Sequence, residues 1–129
     1  MRLFTPLAAA LMALTTAAHV FGGGPEIMDP VAASALTAQV QSVLWVVWHG
    51  ITTVLVVMTM ALAYLSRHDV PALRITCFTI CLAFAGLFVV AATGVPNGFA
   101  ILPQWAIFTV LAVLVGLGRP SSSTSAAPA

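Results

Sequence analysis

Two histidines, His19 and His49, lie inside or at the edge of long apolar segments. Imidazole is a common ligand for haem iron and transition metals, and an ionisable residue within a membrane segment often marks a functional site. His19 is 17 residues from Arg2, and His49 is 18 residues from Arg67, so the two depths differ by about 1.5 Å. We therefore expect the two histidines to meet on neighbouring antiparallel helices.

Further polar residues are predicted near this histidine layer. On its own helix, each histidine shares a face with a threonine pair and a deeper methionine. Three interpretations remain open: hydrogen bonding that holds helices together, haem or metal binding, and a path for protons or small molecules. The residues of the candidate polar or ligand cluster are His19, His49, Glu26, Thr52, Thr53 and Gln104.

The stretch HVFGGGPEIMDP, residues 19–30, gathers two of the three acidic residues of the chain beside three glycines. Glycine adopts left-handed dihedral angles at little cost, so Gly22–Gly24 predict the end of the first helix. Asp29 and Pro30 are typical of an N-cap and the first helical position. The sequence thus predicts a second helix from Pro30, with Val31–Gln41 as a helical extension at the outer surface.

Cys77 and Cys81 are separated by one helical turn, a spacing that suits a disulfide poorly. The predicted depth of Cys81 is about 15 Å from the histidine layer, which excludes a zinc site shared with His19 and His49 if all four spans form. Small buried residues are the simpler interpretation, and a thiol pair for a soft metal is the alternative.

The composition indicates an integral membrane protein. Hydrophobic residues make up 61% of the chain and charged residues 5%, against about 25% charged residues in soluble domains. The net charge of +1 argues against a nucleic-acid partner, because phosphate neutralisation needs many cations. The lipid bilayer is therefore the first expected partner.

Four apolar runs approach the length of ~20 residues that crosses a bilayer. They are residues 3–21, 43–65, 75–93 and 99–118. We expect residues 1–119 to form one all-α domain, a four-helix transmembrane bundle. The polar tail at residues 120–129 is predicted to be disordered.

The arginines predict the orientation. With four spans, Arg2, Arg67, Arg74 and Arg119 all lie on one side, which the positive-inside rule makes cytoplasmic. Both termini are then expected in the cytoplasm. An alternative is that residues 1–18 are a cleaved signal peptide, which would leave three spans.

Small residues recur at four-residue spacing in the first and fourth runs. The clearest series is Ala9, Ala13 and Ala17, and a second contains Ala112 and Gly116. Such series let membrane helices approach closely. They predict that Ala13→Leu or Gly116→Leu would destabilise the bundle.

The segments AHVFGGGPEI, VVWHGIT and PQWAIF resemble those of small four-helix bacterial inner-membrane proteins of unassigned function. The resemblance spans about residues 1–118 and implies a multi-pass location in the bacterial inner (plasma) membrane. It implies no particular chemistry. Small multidrug exporters share the length and the number of spans, but they carry a carboxylate in the first helix, which this chain lacks.

These observations favour a non-enzymatic accessory or interaction subunit of a membrane, with no cofactor expected. Its partner would be another membrane protein or further copies of the same chain. The alternative function is a small haem- or metal-binding redox protein that uses His19 and His49. A third hypothesis is a small transporter built as an oligomer.

Overall fold

The computed structural model describes residues 3–118, so Arg2, Arg119 and the tail at residues 120–129 lie outside the described residues. The described part is all-helical, with 84% helix and no strands. One continuous helical segment contains α1 (Phe4–Ala17), a π-helix (Ala18–Met28) and α2 (Asp29–Ala32). The helices that follow are α3 (Ala38–Leu65), α4 (Pro71–Thr93), α5 (Gly98–Ile101) and α6 (Gln104–Leu117).

Three helical segments are long and apolar enough to cross a membrane. They are Phe4–Ala32, Ala38–Leu65 and Pro71–Thr93, with mean hydropathies of 1.5, 1.9 and 2.4. This confirms the prediction of a multi-pass membrane protein.

The fourth apolar run, predicted as one helix over residues 99–118, is divided in two. α5 ends at Ile101, and α6 begins at Gln104, after Pro103. Proline has no N–H group and clashes with the preceding helical turn, so a helix rarely continues through it. The 14 residues of α6 rise about 21 Å, less than the ~30 Å of a hydrocarbon core.

The predicted helix stop at Gly22–Gly24 is wrong. The helix continues through these glycines and through Pro25 as a π-helix, and no glycine among the described residues has a positive φ angle. The wider π turn relaxes the clash between a proline ring and the carbonyl group four residues earlier. The backbone of Gly22–Gly24 therefore stays helical, and these glycines do not end the helix.

The predicted start of the second helix at Pro30 is also wrong. Asp29 and Pro30 belong to the last turns of the first helical segment, and the chain leaves the helix at residues 33–37. The second long helix begins at Ala38, where the Thr37 hydroxyl accepts a 3.4 Å hydrogen bond from the Val40 N–H group. Val31–Gln41 is thus a helix–turn–helix junction rather than one helical extension, because Thr37 provides the cap.

The segment GVPNG, residues 94–98, joins α4 to α5, and its glycine, proline and asparagine are residue types typical of a turn. Asn97 has a φ angle of 56°, in the left-handed region that asparagine tolerates. Gly98 is buried, and a Cβ atom there would clash with the backbone of Ala92. Glycine is therefore required by the close approach of the two chain segments.

The most extensive helix contacts are between α4 and α6 and between α1 and α3, and α1 also packs on α6. The shared core holds both cysteines, and both are free thiols, as their spacing predicted. The side chains that are less than 2% exposed and largest in volume are Met12, Leu62, Leu111, Val115, Cys77 and Cys81.

The predicted small-residue contacts are not the ones that the first helix uses. Ala8 and Met12 are fully buried on α1, whereas Ala13 is exposed. On α6, Ala112 is buried, and Gly116 is exposed but closely approached, because a Cβ atom there would lie 3.3 Å from the Cε2 atom of Phe78 on α4. The predicted effect of Ala13→Leu is therefore withdrawn, since alanine spacing on an apolar helix does not fix which face meets a neighbour.

Candidate functional site

His19 packs against a tryptophan of the neighbouring helix. The imidazole of His19 stacks on the indole of Trp48, with ring centroids 4.0 Å apart and an angle of 18° between the planes. The Nε2 atom of His19 is buried and has no hydrogen-bond partner among the described residues. Trp48 therefore covers one face of the ring and leaves its polar edge unsatisfied.

His49 lies on a different face of α3 and is exposed. Its ring stacks on Trp45 at 4.0 Å, and its Nδ1 atom is 2.9 Å from the Trp45 carbonyl oxygen. Both contacts of His49 are with Trp45, which lies one helical turn earlier in α3. The structure thus brings His49 to Trp45 and His19 to Trp48, rather than joining the histidines by a hydrogen bond.

Helix rotation explains this arrangement. Consecutive residues on an α-helix are about 100° apart, so the neighbour of a residue that faces inward does not face the same helix. Trp48 is seven residues from the buried Leu55, which is seven from Leu62, and this series forms the inward face of α3. Counting residues along a helix gives a depth but not the face on which a side chain lies. The seven-residue repeat was the sequence signal that could have identified Trp48.

Gly23 completes the contact around Trp48. A Cβ atom at Gly23 would lie 2.8 Å from the Cη2 atom of Trp48, whereas no atom lies within 4 Å of one at Gly22 or Gly24. Thus one of the three glycines allows the indole to approach the π-helix closely. We call the region formed by His19, Gly23 and Trp48 the Trp48 end.

The threonines of the predicted cluster bond to their own helix. Thr52 donates to the Trp48 carbonyl oxygen at 3.1 Å, and Thr53 donates to that of His49 at 2.9 Å. Such bonds to the carbonyl group four residues back satisfy a hydroxyl without a ligand. On the first helix, Thr16 bonds to the Met12 carbonyl oxygen in the same way.

A contact between Thr16 and Thr59 does link two helices. Their Oγ1 atoms are 3.3 Å apart. Each hydroxyl also lies within bonding distance of a carbonyl oxygen of its own helix, and because it has one proton, one of the two must give up that bond to donate across the pair. This pair joins α1 to α3 below the His19–Trp48 stack and was not predicted.

Gln104 and Glu26 occupy different environments. The Oε1 atom of Gln104 is buried and has no hydrogen-bond partner among the described residues. Glu26 is exposed on the π-helix. Of the two, only Gln104 resembles His19 in having an unsatisfied buried atom.

A second polar cluster, missed by the sequence analysis, lies where α1 and α4 begin and α6 ends. The Nη1 atom of Arg74 donates to Thr5 Oγ1 at 3.3 Å and to the Val115 carbonyl oxygen at 3.5 Å. Thr5 is 6% exposed and donates to the Gly118 carbonyl oxygen at 3.4 Å. We call the region of Thr5, Arg74 and Gly118 the Arg74 end.

Asp69 balances part of the charge at the Arg74 end. Its carboxylate lies 3.6 Å from the Nη2 atom of Arg74, and the two side chains are 51% and 13% exposed, respectively. A largely buried arginine needs such partners. The bonds of Arg74 to Thr5 and to Val115 join residues 69 and 41 positions apart, so no local pattern could have predicted them.

A groove of about 400 Å³ opens between α2 and the first turns of α3. Its lining is mostly apolar and contains neither histidine. The lining residues are Met28, Val31, Ala32, Ala38, Gln41, Ser42, Trp45 and Val46.

The described residues contain no group of three or more histidine, cysteine, aspartate or glutamate side chains that could hold a metal ion. His19 stacks on Trp48 and His49 stacks on Trp45, and these two tryptophans are three residues apart on α3. Binding of a common ligand by the two histidines stays a prediction.

No protein-family model, curated protein or solved structure matches this chain.

Proposed function

We propose that this protein is a non-enzymatic accessory or interaction subunit of a membrane. One observation carries the proposal: the described chain is almost entirely long apolar helix joined by short connections at residues 33–37, 66–70 and 94–97. Such a chain contacts its partners either within the membrane or at the two ends of the helical bundle. Large apolar side chains are available on the outside, among them Phe21, which is 80% exposed.

We infer an architecture of four membrane-embedded segments, with α5 and α6 together as the fourth. The Arg74 end supports this arrangement, because Thr5, Arg74 and Gly118 are held together there. The first and last described residues consequently lie at one end of the molecule, and Arg2 and Arg119 are their neighbours in the sequence. By the positive-inside rule both termini are cytoplasmic. The membrane is proposed to be the inner membrane of a bacterium.

Fusion of a reporter after Ala129 tests the orientation. We expect a cytoplasm-active reporter to function there and a periplasm-active one to be silent. Activity of only the periplasmic reporter would contradict the proposed orientation.

Light scattering and photo-crosslinking test the interaction role. We expect protein purified from native membranes in mild detergent to exceed the 13.3 kDa of one chain, because it retains a protein partner or a second copy. A photoreactive residue at Phe21 should give one discrete product in intact membranes, whereas one at the buried Phe108 should not. A single chain with no crosslink from Phe21 would contradict the proposal.

Haem or metal binding by His19 and His49 is a second candidate function. The observation in its favour is that His19 Nε2 is buried without a partner, while His49 bonds through Nδ1, which leaves its Nε2 nitrogen for a ligand. The exposed position of His49 would require the bound group to lie at the surface of the helix pair. A visible absorption band in purified protein that His49→Ala abolishes would support this function, and a colourless, metal-free protein would exclude it.

A further inference from the structure

Two buried polar atoms have no partner among the described residues: His19 Nε2, in the π-helix, and Gln104 Oε1, at the start of α6. The π-helix continues α1, and α1 packs on α6. The third such atom, Arg74 Nη2, is at the opposite end of the molecule beside Asp69. An unsatisfied polar atom within a membrane protein costs several kcal/mol. One small molecule could form hydrogen bonds to both atoms if His19 and Gln104 lie close together.

The contact between Thr5 and Gly118 fixes the register of α1 against α6. The Thr5 hydroxyl donates to the Gly118 carbonyl oxygen, so the start of α1 meets the end of α6 and the helices are antiparallel. His19 follows Thr5 by 14 residues, and Gln104 precedes Gly118 by 14 residues. At 1.5 Å per residue both lie about 21 Å from the Thr5 level.

The two residues also continue the inward faces of their helices. Steps of three and four residues from Thr5 lead through buried side chains toward His19, and the same steps from Gly118 lead to Gln104. The buried positions on these two paths are Thr5, Ala8 and Met12 on α1, and Gly118, Val115, Leu111 and Phe108 on α6. His19 and Gln104 thus share both a level along the helices and an inward-facing position. His19 and His49 share only the predicted level.

We propose that His19 and Gln104 form one buried site that binds a single water-sized molecule able both to donate and to accept a hydrogen bond. Glutamine Oε1 only accepts, so the bound molecule must donate to Gln104. The Nε2 atom of a neutral imidazole donates or accepts according to its tautomer. Water satisfies both partners in either tautomer, and buried waters commonly bridge such groups.

Other ligands fit the two atoms less well. A carbonyl or ether oxygen has no proton to donate to Gln104 Oε1. A metal ion would need more ligands than one imidazole and one amide, and the described residues provide no cluster of suitable side chains. The site is independent of the proposed interaction role and uses Gln104 in place of His49.

Water-edited solid-state NMR of the full chain, labelled with 15N-histidine in lipid nanodiscs, tests the site. His19→Phe identifies the His19 signals and retains an aromatic ring to stack on Trp48. We expect magnetisation from water to reach His19 Nε2 in the unchanged protein. With Gln104→Met, which keeps the side-chain length but removes the acceptor, the transfer should fall to the level of a sample prepared in D2O.

Gln41→Met is the matched control, because the Gln41 amide already bonds to the Ala32 and Ser34 carbonyl oxygens. It should leave the His19 signal unchanged. Transfer that survives Gln104→Met, or a direct Gln104–His19 hydrogen bond without water transfer, would overturn the proposal.

Thermal unfolding gives an independent measurement. If one bound molecule joins the two residues, the fall in Tm for the His19→Phe, Gln104→Met double variant should be smaller than the two single falls added together. Strictly additive falls would overturn the shared site even if each single variant is less stable.

Discussion

At the Arg74 end, the helices close on fully buried side chains and on an arginine bonded to two other helices. At the Trp48 end, the π-helix has no buried residue, and α3 has none before Leu55. Both ends have polar groups within an apolar chain. At the Arg74 end, Arg74 Nη1 and Thr5 Oγ1 bond within the protein, whereas at the Trp48 end His19 Nε2 has no partner among the described residues.

We expect this difference to give the two ends different roles, the Arg74 end in the stability of the fold and the Trp48 end in the binding of a ligand or partner. A closely packed core strongly resists changes of volume. An end with few buried contacts and unsatisfied polar atoms contributes less to stability and retains capacity for a ligand or partner. We therefore expect substitutions at the Arg74 end to affect folding and those at the Trp48 end to affect binding.

The largest difference between the ends is expected for leucine truncation. Leu62 is fully buried in the last turn of α3, on the side of the Arg74 end, while Leu36, in the turn before α3, is 45% exposed. Leu62→Ala should cost about 2–5 kcal/mol of unfolding free energy through lost contacts and a cavity. Leu36→Ala should cost less than about 1 kcal/mol. Denaturant titration in detergent measures both, and equal losses would remove the distinction between the ends.

Arg74→Met is expected to have the next largest effect. Methionine retains much of the side-chain stem but loses the bonds to Thr5 and Val115, at a cost of about 1–3 kcal/mol. Arg67 is exposed and serves as the control. Arg67→Met should change the unfolding free energy by less than about 0.5 kcal/mol, and a larger effect for Arg67 than for Arg74 would contradict the role assigned to the Arg74 end.

Gly23→Ala tests the contact with Trp48. The added methyl group would lie 2.8 Å from the indole, so we expect a loss of about 1 kcal/mol and altered tryptophan fluorescence. Gly22→Ala meets no atom and should be neutral or stabilising by a few tenths of a kcal/mol. If both variants behave alike, Gly23 is not a close-approach position.

His49→Ala is expected to have the smallest effect on stability. His49 is exposed, and its hydrogen bond is to a carbonyl oxygen of its own helix, so the loss should be below about 0.5 kcal/mol. His19→Ala should cost more, since it removes the stack on Trp48. Equal and large losses, measured by thermal unfolding, would restore the shared histidine site predicted from depth alone.

The sequence predicted features that follow from local chemistry. Hydropathy located the membrane-length helices, and the Asn97-Gly98 turn was recognisable from its residue types. Depth counting placed His19 and Gln104 near one level, because rise per residue is nearly constant.

Features that depend on rotation or on distant partners could not be predicted in this way. His49 and Trp48 are consecutive, and which of them faces α1 is decided by packing along the whole of α3. A glycine at position 23 is compatible with the end of a helix and with close packing of a neighbouring side chain. Only the position of Trp48 in the structure distinguishes these two roles. The contacts of Arg74 with Thr5 and Val115 have no local signature.

Hydrogen–deuterium exchange in lipid nanodiscs tests the contrast between the two ends most directly. Residues 4–17 and 18–32 belong to one continuous helical segment, but they differ in burial and, over Ala18–Met28, in the π-helical bonding of the backbone. We predict that amides of residues 18–32 exchange at least about tenfold faster than those of residues 4–17, because opening at the Trp48 end breaks fewer buried contacts. Equal protection along the whole segment would contradict an open Trp48 end and, with it, the separation of binding from stability.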